Sequence, residues 1–522
     1  MGLLNSIVGW SLGNRPVVLA LLALLVFLGL DAARSLPIDA VPDVTNVQVQ
    51  VITTAPALSP VEVEQYVTVP VERAMAGTPR ATEVRSISKY GISVVTVVFS
   101  DDTDTYFARQ RVAERLPEAE RAIPPQYGRP ALGPITTGLG EVYQFVLRGE
   151  GHSLMELEET LDYYIGPQLR MVPGVVEVNS FGGEDKQYQV VLDPARLQAA
   201  GVSVEEVARA LGRTNANAGG GYIERDREQY VIGSLGQVSS LEDLRQVVVG
   251  ATPEGVPITV ATVGEARFGP KIRRGAATMD GEGEVVIGVA LMLMGENSRT
   301  VTEAIKRRVA ELQPTLPGGM RVQAFYDRSE LVERTIRTVG KNLAEGAALV
   351  ILVLLLLLGD LRGGLIVATV IPLSMLFALV LMRAAGVSGN LMSLGAIDFG
   401  LIVDGAVIIV ENAIRRLGMA RAEKQAALTP AEHVAVVQEA AIEVRSASVF
   451  GELIIAVVYI PILALRGIEG KLFHPMATTV LFALLGAFIL SLTAVPVLAS
   501  LLLRAPEGAE GEHETRLMRL AG

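Results

Sequence analysis

The stretch DFGLIVDGAVIIVEN, residues 398–412, decides the fold. Apart from Asp398, Asp404, Glu411 and Asn412 it consists of apolar residues and glycine, as suits the middle of a bilayer. A charged side chain near the bilayer centre costs roughly 3 kcal/mol even on the lenient insertion scales. Carboxylates placed there repeatedly need a purpose. On an ideal helix Asp398 and Asp404 lie about 240° apart, whereas Asp404 and Glu411 are nearly two full turns apart, about 10 Å along one face. Such a face cannot point to lipid; it must pack inside a bundle or line a wet cavity.

The whole chain agrees with a membrane setting. Of its 522 residues 50% are hydrophobic and only 19% charged, with a mean hydropathy of +0.41. Such a balance is too apolar for an ordinary soluble protein. There is no cysteine, which excludes a disulfide framework, thiolate metal sites and a cysteine nucleophile. A net charge of −11 argues against a nucleic-acid partner.

The hydrophobicity is segregated. Residues 16–30 form an uncharged run that the preceding SIVGWSLGN extends to spanning length. Residues 32–338 read as an extramembrane region, and further apolar runs follow near 343–358, 364–382, 389–410, 446–465 and 475–503. The expectation is six spans, one before the large loop and five after it. The first is an uncleaved anchor rather than a signal peptide, because DAARSLPIDAVPDV offers a poor cleavage site. Arg415, Arg416, Arg421, Lys424 and Arg445 put the 413–445 loop in the cytoplasm. Counting back, the amino terminus is cytoplasmic and the 32–338 region lies outside, in a periplasm where there is one.

That region reads as α+β and repeats. TNVQVQVITTA alternates as a strand, and Ser59, Pro60 and Glu62 make a capping box with proline at the first helical position. Two strands, TEVRSIS and ISVVTVVFS, and the helix DTYFARQRVAERL complete a β-α-β-β-α-β split unit. A second unit starts at EVYQFVLRG, with a helix capped by Ser153 and Glu156, and resumes near 284–327. Between its halves lies an insertion, roughly 183–274, with a helix capped by Ser203 and Glu206 and a Gly-rich hairpin tip at NANAGGGY.

Carboxylates in a desolvated helix suit the uptake and release of protons, and a chain of them makes a pathway. The alternative is structural pairing with basic groups. The acidic helix has no Lys or Arg among its apolar residues, and the other spans offer them only near their ends, as at Arg362 and Arg383. The spacing spreads the acids too widely for one metal ion. An aspartyl protease would need its two aspartates on facing helices, not on one.

With LPIDAVPDVTNVQVQV after the first span, YDRSELVERTI before the second and GKLFHP before the sixth, the chain resembles the resistance-nodulation-division transporters. Within them it is similar to the cobalt–zinc–cadmium type of the heavy-metal efflux branch, over essentially its whole length. The resemblance implies that Asp398, Asp404 and Glu411 are the proton-relay residues. The monovalent copper and silver pumps keep acids corresponding to Asp404 and Glu411 but lack the DFG acid. Divalent cations of the zinc, cobalt, cadmium and nickel class are therefore the expected cargo. No enzyme activity and no cofactor beyond the proton gradient are expected, and the metal ligands are not assigned.

The resemblance further implies an inner-membrane homotrimer joined to a periplasmic adaptor and an outer-membrane channel. It divides the chain into 1–31 (cytoplasmic start and first span), 32–132 (first porter subdomain), 133–182 with 275–338 (second porter subdomain), 183–274 (docking subdomain), 339–504 (remaining spans) and 505–522 (polar tail). The fold class is thus an α-helical membrane bundle with ferredoxin-like split units. Family members run to about twice this length, so the chain reads as an amino-terminal half whose partner half is a separate chain if the pump is split. A drug or organic-solute exporter half and a truncated, non-transporting remnant are the competing readings.

Weaker candidates complete the list. Glu452 in VFGELIIAVVYIP is a fourth acid among apolar residues and a candidate addition to the relay. Met292 and Met294 would share one face of a strand, where core packing is the simpler reading. His152, His433, His474 and His513 form no ligand spacing. Glu141 and the glutamates near it could touch hard cations in passage, though surface acids are common. The AGGG at 218–221 lacks the Lys-Ser/Thr of a phosphate loop.

Overall fold

The computed structural model describes residues 2–39, 41–234, 236–273, 275–358, 360–395 and 399–504. Two four-stranded sheets carry the α+β region. In the first, Ala81–Lys89, Ile92–Phe99, Gln48–Thr54 and Pro130–Leu132 lie side by side, every neighbouring pair antiparallel. In the second the order is Met320–Asp327, Glu141–Gly149, Val286–Met292 and Val175–Phe181, again antiparallel throughout. Numbered by position in its own unit, each sheet has the strand order 4-1-3-2.

The capping boxes at Ser59/Glu62 and Ser153/Glu156 start the first helix of each unit. Both helices then widen into a π-turn, at Glu64–Thr68 and at Leu161–Ile165. Each π-turn ends two residues before a proline, Pro70 or Pro167, whose missing N–H and bulky ring disturb the regular ladder. Burial fixes the register: Val49 and Val51 alternate with half-buried glutamines along the first strand, and the core behind them includes Val63, Val67, Val95, Val97 and Phe99. The second unit has its own core around Phe145, Leu161, Ile165 and Ile305.

The insertion pairs Lys186–Leu192 with Gly264–Pro270 and packs a small core on Leu197, Val207, Val249 and Val263. The Gly-rich segment is not its hairpin tip. Ala218–Arg225 is a strand paired with Glu228–Ser234, and the chain reverses at Asp226 and Arg227, both with positive φ. That is the backbone a two-residue primed turn demands, and aspartate tolerates it.

Among the described residues four helical stretches are long and apolar enough to cross a membrane: Arg15–Ser35, Leu361–Ala384, Met392–Lys424 and Gly467–Leu492. A fifth exists if the bent pair Pro430–Glu443 and Ser448–Ala464 counts as one span. The remaining apolar run, 343–358, ends the long helix Arg328–Leu358. The expected extension of the first span toward the amino terminus is instead a separate helix, Gly2–Gly13, which breaks from Arg15–Ser35 at Asn14. Pro16 explains the break: it sits happily at a helix start but cannot continue the ladder from the preceding turn. One apolar core, including Val18, Val367, Val370, Ala406, Val410 and Ala487, joins these helices.

Candidate functional site

The acidic segment forms the helix Phe399–Lys424. Ile402, Val403, Ala406, Ile409, Val410, Ala413 and Leu417 are buried along it, a stripe with the three-and-four spacing of one helical face. Leu361–Ala384 closes on that stripe at Gly363, where an added Cβ would lie 2.8 Å from Ile414 Cδ1 and 3.1 Å from Val410 Cγ1. Asp404 and Glu411 fall on the opposite face and are exposed on the surface of this chain. Asp398 lies outside the described residues.

Among the described residues neither Asp404 nor Glu411 has a basic partner, and the arginines at the span ends are engaged elsewhere. Arg383 pairs with Asp31 at 2.5 Å, and Arg362 Nη1 reaches Leu502 O at 3.5 Å. The structure does bring Glu452 to the acidic helix. A Cβ on Gly405, the residue beside Asp404, would sit 2.0 Å from Glu452 Oε1. Ser448, one turn away on the same helix as Glu452, donates to that oxygen at 3.5 Å.

Sequence reasoning missed the role of Asn412. Buried, it donates from Nδ2 to Ala440 O at 2.8 Å and to Glu443 Oε2 at 2.9 Å, and its Oδ1 accepts from Arg415 Nη2 at 2.7 Å. It thereby clamps the middle of the acidic helix to the Pro430–Glu443 helix. The only sequence signal was an amide directly after an acid in an apolar run.

Three further motif segments converge between the sheets and the helices. Arg328, 4% exposed, donates to Asp39 Oδ1 at 3.0 and 2.9 Å and to Leu139 O at 3.2 Å. Ile38–Asp39 pairs with Gly389–Asn390 as a short parallel bridge. Lys471 of GKLFHP donates to Thr45 O at 2.9 Å and pairs with Asp101 at 2.7 Å. Next to Arg328, Asp327 pairs with Lys306 at 2.7 Å and accepts from the Ser329 amide at 2.8 Å. Desolvation pushes the Asp327 carboxyl up, but the bonds from Lys306 and Ser329 outweigh it and hold the group below its usual range. The same ion pair raises Lys306.

The weaker candidates disperse. Met292 belongs to the core of the second sheet, while Met294 lies beyond the end of its strand and accepts from Thr105 Oγ1 at 3.5 Å. They do not share a strand face. His152 bonds Gly318 O at 2.9 Å. Among the described residues no histidine joins a metal-ligating cluster; His513 lies outside them. Glu141 is exposed at a sheet end, in register with Leu291, whose other neighbour is Glu177.

Residues 10–520 match the AcrB/AcrD/AcrF family. The chain is 48% identical over 523 residues to the cation efflux system protein CzcA of Alcaligenes sp. (strain CT14), covering 98% of this chain and 49% of that protein. To the nickel-cobalt-cadmium resistance protein NccA of Alcaligenes xylosoxydans xylosoxydans it is 42% identical over 535 residues, with 96% and 49% covered. An X-ray crystal structure of a heavy metal efflux pump (crystal form II) superposes with a TM-score of 0.83 at 36% identity, over 94% of this chain and 48% of that one. The chain spans about half the length of the curated relatives it matches. With a family match running almost end to end and relatives of nearly one-half identity over the same extent, the chain belongs to the AcrB/AcrD/AcrF family, the resistance-nodulation-division transporters, which are transporters and not enzymes.

Proposed function

We propose that this chain is the amino-terminal half of a proton-driven antiporter that exports divalent heavy-metal cations of the zinc, cobalt, cadmium and nickel class. The observation that carries the reading is the acidic face of the Phe399–Lys424 helix. Asp404 and Glu411 stand opposite its buried stripe, with Glu452 pressed against the intervening Gly405. Carboxylates on a membrane helix, without basic partners among the described residues, suit the loading and unloading of protons. Asp398 is the third member of the relay. Cargo class follows from relatives whose names specify cation, cobalt-zinc-cadmium and nickel-cobalt-cadmium resistance or efflux.

The finer architecture belongs to the same proposal. The chain crosses the inner membrane six times, with the two sheet units as ferredoxin-like porter subdomains and the insertion as a docking subdomain in the periplasm. It works as a homotrimer with a carboxyl-terminal half, a periplasmic adaptor and an outer-membrane channel. The division at 183–274 is supported by the separate small core of that segment.

Asp404→Asn in the assembled pump tests the relay. Metal resistance should fall to that of cells without the pump, and metal-driven proton movement in vesicles should stop, at unchanged protein level. Resistance and proton movement equal to wild type would remove Asp404 from the mechanism.

A further inference from the structure

We propose that Glu158, Asp162 and Asp185 form a binding site for one hard divalent cation of the calcium or manganese kind, which ties the first helix of the second sheet unit to the segment entering the insertion. The three residues come from two places. Glu158 and Asp162 are one turn apart on either side of the start of the π-turn Leu161–Ile165, and Asp185 precedes the strand Lys186–Leu192. Each offers a carboxylate oxygen, and those oxygens all lie within 4.8 Å of one another. Oxygens bound to one cation at roughly 2.0–2.6 Å have separations of that order, so a single ion fits between them without large rearrangement.

Glu158 is the observation that lifts this above a chance group of surface acids. It is 6% exposed, and its Oε2 is buried with no hydrogen-bond partner. A buried carboxylate oxygen left unpaired is costly, and a cation is the partner that removes the cost. That oxygen points at the turn leading to Asp185: a Cβ on Gly183 would lie 2.0 Å from it. Burial pushes the Glu158 carboxyl up, with the charges of Asp162 and Asp185 acting the same way against a hydrogen bond from Ser180. A cation would reverse both effects.

The surroundings permit an ion. Asp162 lines an open groove with Arg170, Asn179 and Ser180, which gives water and cations access to the cluster from that side. The basic groups nearby are occupied elsewhere or weakly held. Lys186 pairs with Glu159 at 2.9 Å, and Arg170 reaches Val178 O at 3.5 Å. Lys271 pairs with Asp185 at 3.0 Å, but both side chains are about half exposed, and such pairs hold by little. An all-oxygen, all-carboxylate donor set selects hard cations and offers nothing to soft ones. The inference does not depend on the proton relay or on transport.

The test is manganese binding by the full chain in detergent, stripped of metal and titrated with Mn²⁺ while free ion is read by electron paramagnetic resonance. Wild type should bind one Mn²⁺ more, or bind its tightest Mn²⁺ at least about tenfold better, than Glu158→Gln and Asp162→Asn. Calcium should displace that ion. Asp162 is exposed, so its substitution tests the site without disturbing the core. Asp280→Asn, elsewhere on the surface, should match wild type. Equal Mn²⁺ binding by wild type and Asp162→Asn, or loss of binding in Asp280→Asn to the same degree, would overturn the site.

Discussion

Glu452 is pressed against Gly405: a Cβ added to that glycine would meet Glu452 Oε1 at 2.0 Å and Ser448 Oγ at 2.9 Å. Only glycine lets the carboxyl lie on the helix backbone beside Asp404. Gly405→Ala should therefore swing the carboxyl away at a stability cost of about 0.5–1.5 kcal/mol, since the displaced atom ends a flexible side chain. Where Glu452 serves the relay, Gly405→Ala and Glu452→Gln should each slow metal-driven proton movement. The double variant should then be no worse than the poorer single one. Additive losses would mean that the two residues act separately.

Arg328 joins parts of the chain nearly three hundred positions apart, Asp39 and the start of the Arg328–Leu358 helix. Its guanidinium is buried and makes bonds to a carboxylate and to Leu139 O. Arg328→Ala should destabilise the chain by about 2 kcal/mol, because it removes a buried guanidinium from a partly exposed carboxylate and from Leu139 O. Thermal unfolding in detergent measures it. A loss under about 1 kcal/mol would place this pair with ordinary surface bridges.

The sequence made the helices, the caps and the doubled sheet unit readable because each follows from local pattern. Ser59 with Glu62 and Ser153 with Glu156 start helices whatever surrounds them, and alternation around Val49 and Val51 names a strand. The acids were legible for the same reason, being wrong for their surroundings. What stayed hidden depends on contacts between distant segments. Nothing near Asn412 says that Ala440 and Glu443 will meet it, and nothing near Glu158 points to Asp185. The hairpin turn was misplaced because glycines draw attention, whereas Asp226 and Arg227 took the left-handed backbone instead.

Acid and base should each weaken the junction around Asp327. Its folded pKa is depressed, so its contribution is present above the unfolded value of about 4 and fades as pH falls through the lower folded value. Lys306 is raised, so its contribution is complete below about 10.4 and fades as pH rises through its higher folded value. Tyr143, in register with Asp327 on the neighbouring strand, is pushed up to about 12 by burial and by the Asp327 charge. Its proton likewise supports the fold below about 10, with the loss completed near its folded value. The ultraviolet difference titration between wild type and Tyr143→Phe should show one phenolate forming near 12, and Asp327→Asn should bring it lower. A Tyr143 that ionises near 10 in folded protein would contradict the burial.

The hairpin of Ala218–Arg225 and Glu228–Ser234 supplies the last prediction. Tyr222 pairs with Val231 and Ile223 with Tyr230, so both faces carry apolar side chains, and all four are more than half exposed. An isolated two-stranded hairpin is marginal in water, and apolar surface on both of its faces marks an interaction site. In the homotrimer proposed above, a neighbouring copy would be the cover for this hairpin. None of these side chains belongs to the insertion's own core of Leu197, Val207, Val249 and Val263. Deleting residues 219–233 and bridging the ends with a short glycine-serine link should change the stability of one chain by no more than about 0.5 kcal/mol. The same deletion should shift the assembled protein from trimer to monomer on native mass spectrometry. A trimer that survives would remove the hairpin from the contact, and an unfolded insertion would show that the hairpin supports its own subdomain instead.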